Sequence, residues 1–246
     1  MRGRKHRIRL TMKARTPAQR HYLRTTAAAV AAVAAQADTM PAATANAYEL
    51  MLLQLAEHRR RLKQVQSIDR KIEAKRAFLP HYGPWVDGVL EADRGGQDDV
   101  LVTVMVWRID IGDLAGALPL VAYTLRHGLT MPDQYKRGIA CVAAEEFAEA
   151  ALKQITLKQA PDTAALLQVA ELTAEHDMPD EVRAKLHKAI GYALRDTNAP
   201  DALAHLLKAL GLHEKVGVKK DIERLEREIK NATSPPDIAP ANTGQG

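Results

Sequence analysis

Six carboxylates fall within about two dozen residues of one another: Glu91, Asp93, Asp98, Asp99, Asp110 and Asp113. Acids gathered this densely could hold two magnesium ions for phosphodiester hydrolysis, because each ion takes several oxygen ligands and leaves the phosphate to complete its shell. In that reading Asp98, Asp99 and Asp113 are the catalytic candidates of an endonuclease, and Mg2+ is its cofactor. Each acid also has a simpler role. Asp98 and Asp99 stand where a helix would open, and there they satisfy its first amides and its dipole. Asp110 and Asp113 flank a turn, and Glu91 and Asp93 end a helix. The capping reading is preferred, and it leaves a chain with no intrinsic catalytic centre and no cofactor.

Other chemistry finds less support. The nine histidines include no His-Glu-x-x-His and no pair at i, i+4, and His205 and His213 lie two helical turns apart, too far to share one ion, so no metal site is expected. Neither a Gly-x-x-x-x-Gly-Lys-Ser/Thr loop nor a Gly-x-Gly-x-x-Gly turn occurs, so ATP use would belong to a partner. The single cysteine, Cys141, excludes an internal disulfide, has no neighbouring histidine to activate it, and reads as a small buried apolar group.

Nucleic acid is the better-supported ligand. Formal net charge is +5, yet residues 1–37 hold nine Lys or Arg and no acid, and the remainder of the chain is net acidic. Arg2, Arg4, Lys5, Arg7, Arg9, Lys13 and Arg15, followed by Arg20 and Arg24 one helical turn apart, can neutralise phosphates without reading sequence. A second cationic face is expected around Arg59, Arg60, Lys63, Arg70, Lys71 and Lys75. Residues 27–37 follow the basic stretch as the apolar core of a signal peptide would. That stretch is nearly all alanine, however, with two valines, and is too weakly hydrophobic for export and too short to span a bilayer.

The elements that would carry these residues are helical. Aromatics make up only 4% of the chain while Ala, Leu, Glu, Lys and Arg abound, which favours helices packed through small and aliphatic side chains. Residues 1–16 read as a disordered basic arm. Thr16-Pro17 supplies a cap and a first-turn proline for an alanine helix over 17–37. A second helix is expected over 44–79, with Tyr48, Leu52, Leu55, Leu62, Val65, Ile68 and Ile72 as an apolar stripe that packs either on the alanine helix or on another subunit. Residues 17–79 are thus read as one helical region, a candidate for DNA binding and, if the stripe meets another subunit, for self-association.

Residues 80–160 form a central region. A short helix over 85–91 ends at Gly95-Gly96, and the β-branched run 100–107 is assigned to a helix, because Asp98 can cap it and no second strand-like run exists to pair with it. After the Gly112-Asp113 turn, Leu114, Leu118, Val121 and Leu125 complete a hairpin whose Trp, Gly-Asp, Ala-Leu, Tyr and Pro spacing resembles a tetratricopeptide unit. Residues 161–230 form a C-terminal region. It holds a second such hairpin, from Leu186 through the turn at 198–201 to Leu212, and a charged last helix over 218–230 with Ile222, Leu225 and Ile229 on one face. An unlike stretch separates the two hairpins. Residues 231–246, poor in apolar residues and without a base, read as a disordered tail.

Three stretches carry a resemblance. The run from Pro84-Trp85-Val86-Asp87-Gly88 through Gly96-Gln97-Asp98-Asp99 to Trp107-Arg108 and Gly112-Asp113-Leu114-Ala115-Gly116-Ala117-Leu118 is similar to the small terminase subunits, also described as terminase endonuclease subunits, of peduovirus-type tailed phages. Asp177-Met178-Pro179-Asp180-Glu181 through Lys188, and Gly217-Val218-Lys219-Lys220 through Arg227, resemble the same family. Pro17-Ala18-Gln19-Arg20-His21 looks like its start, so the likeness runs over about 16–230.

The resemblance implies a packaging protein of the host cell cytoplasm. It would bind double-stranded phage DNA near the cohesive-end site, assemble as a ring-like homo-oligomer, and recruit the large ATPase subunit that drives DNA into the prohead. The concave side of the C-terminal hairpin, with the charged last helix, is the expected docking surface for that subunit, and no membrane partner is expected. Family members open near Thr16, which implies that residues 1–11 extend upstream of a start at Met12; without Arg2, Arg4, Lys5, Arg7 and Arg9 the net charge would fall to zero. The lysine-rich tail that relatives can carry is missing here, so no DNA contact is expected from the C-terminal end. The rival readings are the endonuclease above and a helical-repeat adaptor with no DNA role, which would give no mobility shift even at low salt.

Overall fold

The β-branched run after Asp98 is a helix. Asp98 stands in extended geometry and accepts hydrogen bonds from the amides of Val100 and Leu101 at 2.8 and 2.9 Å, and these two bonds hold the first turn that propensity alone would have given to a strand. In the computed structural model, which describes residues 15–36, 42–132 and 136–233, every regular element among the described residues is helical. The chain divides into two compact units, Met1–Pro132 and Asp133–Gly246.

The first unit is built on α1 (Pro17–Gln36), α2 (Ala42–Gln64), α3 (Ile68–Phe78), a 3-10 turn (Leu79–His81), α4 (Gly83–Ala92), α5 (Asp99–Asp110) and α6 (Leu114–Arg126). Thr16 and Gln19 open α1 as a reciprocal capping box: each side chain accepts from the other's backbone amide, at 3.2 and 2.9 Å. The alanine helix packs chiefly on α4, so closely that a Cβ on Gly88 would lie 2.1 Å from the carbonyl oxygen of Arg24. Helix α5 is buried on every side from Val100 to Trp107, which explains its lack of periodicity: a helix apolar all round belongs at a core. Around it lie Met51, Leu55, Tyr82, Trp85 and Tyr123, all fully buried.

The expected helix over 44–79 is two helices. After Gln64 the chain breaks, and Ser67, in extended geometry, caps α3 by accepting from the amide of Arg70. A serine in mid-pattern offers the backbone this alternative, and the side-chain periodicity did not reveal it. The stripe is also rotated in part from the expected one, of which Leu55 and Leu62 are buried as expected. The residues of α2 that reach the core are Ala47, Met51, Leu55, His58 and Leu62, whereas Ile68 is 74% exposed. The short helix before Asp98 starts two residues earlier than expected and runs one residue further: α4 opens at Gly83 and ends at Ala92, closed by Asp93, in the left-handed region at φ 47°, in place of Gly95-Gly96.

The second unit comprises α7 (Ile139–Thr156), α8 (Thr163–Leu172), α9 (Asp180–Leu194), α10 (Ala199–Leu212), a 3-10 turn (Glu214–Val216) and α11 (Lys219–Thr233). The stretch read as unlike its neighbours supplies α7 and α8. The first of these lays Ala140, Ala143, Ala144, Phe147, Ala148 and Ala151 into the core and packs on α9, and Cys141 is buried among them. Both expected hairpins form, as α5–α6 and α9–α10, the second joined where Asn198 caps α10. Gly191 lets α9 approach Leu206 and Ala202 of α10. The last helix buries Ile222 and Leu225 as its pattern requires and continues to Thr233, three residues into the expected tail. The basic arm through Ala14, Ala37 and the tail from Ser234 lie outside the described residues.

Candidate nucleic-acid interface

Arg2, Arg4, Lys5, Arg7, Arg9 and Lys13 precede the described residues. The cations that follow them are placed one by one. Arg15 is half-buried, and its Nη2 donates to Gln54 Oε1 of α2 at 2.7 Å. Burial draws its pKa below the ordinary arginine value. It is thus a strut between the start of α1 and α2. Arg20 is exposed on α1. Arg24 forms a two-pronged pair with Glu91, at 2.5 and 2.6 Å, with both side chains about half exposed. Exposed pairs of this kind contribute roughly 0–1 kcal/mol, so a phosphate can take the place of Glu91 at little cost.

On α2 the expected cationic face is partly spoken for. Arg59 Nη2 donates to Thr103 Oγ1 on α5 at 2.9 Å. Glu57 accepts from Arg60 at 2.5 Å and from Arg61 at 2.8 Å, and the Arg61 bond is the main reason its carboxyl stays below the usual carboxylate range. Lys63 is exposed at the end of the helix. The spacing of bases along α2 is legible in the sequence, and so is the signal for their neutralisation, since Glu57 stands three and four residues before Arg60 and Arg61.

The acidic group does not converge. Glu91 holds Arg24; Asp93 holds Arg126 and, at 2.8 Å, His127; Asp110 holds Lys75 at 2.5 Å. Asp113 caps α6 through the amide of Gly116 and accepts from Arg108 at 2.6 Å. Asp99 accepts from Gln97 at 3.0 Å. Asp98 is 1% exposed: one oxygen serves the two amides of α5 and the other accepts from Trp85 Nε1 at 2.7 Å. Burial pushes its carboxyl above the usual range against those three bonds. Tyr48, stacked on Trp85 with ring centres 5.7 Å apart, receives the amide of Asp99 on its hydroxyl.

A two-magnesium centre needs several carboxylates with free lone pairs turned to one point. Here each is turned to a different partner: a base for Glu91, Asp93, Asp110 and Asp113, backbone amides and the Trp85 indole for Asp98, and the Gln97 side chain for Asp99. Among the described residues no group of three or more His, Cys, Asp or Glu is arranged to hold an ion. Asp98, Asp99 and Asp113 therefore do not fit that centre, and the arrangement performs capping and cross-linking of helices. No helix among the described residues is long and apolar enough to cross a membrane.

Two polar features escaped the sequence. His58 lies flat on Phe78, with centroids 3.9 Å apart, and its Nδ1 is 2.7 Å from the hydroxyl of Tyr82. Burial, aided by His81 and Arg61, lowers its pKa to about 4. In the second unit His187 and His205 meet Nδ1 to Nδ1 at 2.9 Å. Burial, then Lys208, His205 and Arg183, lower His187 to about 4, and burial and Lys208 also lower His205. Since one ring must donate and the other accept, the contact requires at least one neutral imidazole. A helix-face pattern could reveal each histidine as inward-facing, but not that the two meet across a hairpin.

The sequence pattern of the phage small terminase subunit family matches residues 52–181. The chain is 49% identical over 221 residues to the "Terminase, endonuclease subunit" of Escherichia phage P2, covering 89% of this chain and 88% of that protein. No solved structure matches.

Proposed function

The chain belongs to the phage small terminase subunit family, with a role in packaging the phage genome, and from that premise we propose that it grips double-stranded DNA through its basic leading segment and the exposed cations of α1 and α2. It does so near the cohesive-end site in the host cytoplasm, assembles with copies of itself, and presents its second unit to the large ATPase subunit. One observation carries the DNA reading: nine bases and no acid in residues 1–37, with Arg20 exposed at the start of α1 and Arg24 held only by a half-exposed carboxylate. Binding of this kind is electrostatic, neutralises phosphates, and needs no cofactor. Cutting is not assigned to Asp98, Asp99 or Asp113: Asp98 and Asp113 cap helices, Asp113 also holds Arg108, and Asp99 accepts from Gln97.

The test is DNA binding against salt. Each phosphate contact contributes about 0.9 to the slope of log K on log salt. Replacing Arg2, Arg4, Lys5, Arg7, Arg9 and Lys13 by glutamine in the full chain should lower that slope by up to about 5 and remove most of the affinity for cohesive-end DNA in moderate salt. An unaltered slope would remove the leading segment from the interface. Light-scattering mass, taken with and without DNA and the large subunit, tests self-association and recruitment. A monomer under every condition would overturn both.

A further inference from the structure

At the head of α11, with the preceding 3-10 turn, an open groove is lined by Lys215, Lys219, Lys220, Arg224 and Arg227. Two acids share the lining, Glu214 and Asp221, but Asp221 is already engaged. It accepts from Arg224 at 2.7 Å and from the hydroxyl of Tyr192 at 2.8 Å. Lys215, Lys219 and Lys220 stand exposed. Beside them Lys188, whose Nζ donates to the carbonyl of Val216 at 2.8 Å, approaches the backbone at Gly217 and adds a further positive charge.

Folding does not account for this gathering. Helix α11 is held by Val218, Ile222 and Leu225, which are buried, while Lys219 and Lys220 occupy its first turn, where the helix dipole favours acids and disfavours cations. Like charges concentrated in one concave surface raise the local potential and favour an anionic ligand. The shape and lining narrow the choice. The groove is open, which suits an extended chain better than an enclosed small molecule, and its lining offers no aromatic ring on which a base could stack. Lys220, Arg224 and Arg227 follow one another at four and three residues along one face. They therefore track about 10 Å of helix axis, a length over which duplex DNA presents about six phosphate charges.

We propose that this groove is a second DNA contact, taking the sugar-phosphate backbone irrespective of sequence. It rests on the function proposed above for the premise that the chain meets DNA, uses none of the cations given to DNA there, and leaves the rest of the second unit to the large subunit. Binding through two separate cationic segments would let either hold the duplex while the other releases it.

The experiment is fluorescence anisotropy of a labelled duplex against salt, with the full chain carrying Lys215→Glu, Lys219→Glu and Lys220→Glu, and a second variant carrying glutamine at the same three positions. Each set is made with the natural leading segment and with the neutralised one. The glutamate variant is expected to lose at least ten-fold in affinity at low salt, and the glutamine variant to lower the salt slope by about 2 to 3. The residual binding left by the neutralised leading segment should disappear in both. Loss should be equal on duplexes of unrelated sequence.

Unchanged affinity and slope in the glutamine variant would overturn the proposal. So would a loss confined to capture of the large subunit, which would make the groove a protein-docking surface. Should the leading-segment variant bind like the natural chain while the groove variants fail, the groove stands and the other reading falls. A helix-melting midpoint unchanged or raised by glutamate, which suits the dipole better than lysine, distinguishes lost binding from lost structure.

Discussion

In the first unit the interior is built on rings. Trp85, Tyr82 and Tyr123 are fully buried around α5, Trp107 meets Phe78 and Tyr82 within about 6 Å, and two polar groups brought inside, Asp98 and His58, are each met by an aromatic partner. In the second unit, Phe147 is the one aromatic ring fully buried among the described residues. Its helices approach through Ala143, Ala144, Ala184, Ala189, Ala202 and Ala209, and ion pairs such as Lys185 with Glu149 and Arg195 with Glu228 cross between helices at its surface. Large rings fill irregular space between helices of different direction; alanine and glycine allow backbones to approach and leave little to fill. Truncation should therefore cost the first unit most, and enlargement should be felt in either unit where a small residue sets the approach of two helices.

Both tryptophans of the chain, Trp85 and Trp107, lie in the first unit, so tryptophan emission reports that unit alone while far-ultraviolet dichroism reports both. The largest effect is expected from Trp85→Ala, which empties the core and strips Asp98 of its indole donor: a loss of about 3–5 kcal/mol, read as a lower urea midpoint for Trp107 emission. A midpoint within error of the natural chain would refute the ring-built account.

Acid should act next, and on both units. His58 and His187, each held near 4 in the folded chain, return to about 6.5 when unfolded. Since the folded values are the depressed ones, their contribution is complete above about pH 6.5 and is lost as pH falls through 4, at a cost on the order of 2–3 kcal/mol per histidine. In the second unit a second proton also ruptures the His187–His205 contact, against a field set by Lys208 and Arg183 and only partly countered by Asp201. His205→Asn should flatten the acid limb seen by dichroism and leave the limb seen by tryptophan emission unmoved. The converse result would place the acid sensitivity elsewhere.

Smaller effects come from adding one carbon. Gly88→Ala sets a Cβ against the backbone of Arg24, which cannot move aside alone, and should cost about 1–3 kcal/mol by thermal melting. Gly191→Ala sets a Cβ 2.6 and 2.7 Å from Cδ2 and Cγ of the buried Leu206 and 3.1 Å from the carbonyl oxygen of Ala202. With alanine's helix propensity offsetting up to about 1 kcal/mol, it should still destabilise, but less than Gly88→Ala. Reversal of that order would mean that backbone approach is tighter in the second unit than the side-chain contact suggests.

Much of the helical framework was legible because its signals are local. Thr16-Pro17, Asp98, Asp113 and Asn198 announce helix starts within two or three residues of the amides they satisfy, and a cap decided between strand and helix for residues 100–107. The break at Ser67 was written in the same local code but concealed by a hydrophobic pattern that continued through it. The candidate site was less legible. Six acids close in sequence look like one cluster, yet they are spread over several helices whose faces diverge, and their partners Arg24, Lys75 and Arg126 lie 67, 35 and 33 residues away.

By itself the sequence determined that this protein is helical, where most of its helices begin, and that its positive charge is concentrated at the leading end. Tertiary structure alone decided which stripe of α2 is buried, which carboxylate answers which base, that His187 faces His205, and that the lysines before and within α11 share one groove. The reason is one of range. A cap or a helical period is fixed by dihedral angles over a single turn, whereas the pairing of two side chains depends on the rotation and crossing of whole helices, which many contacts settle together and no single stretch of residues records.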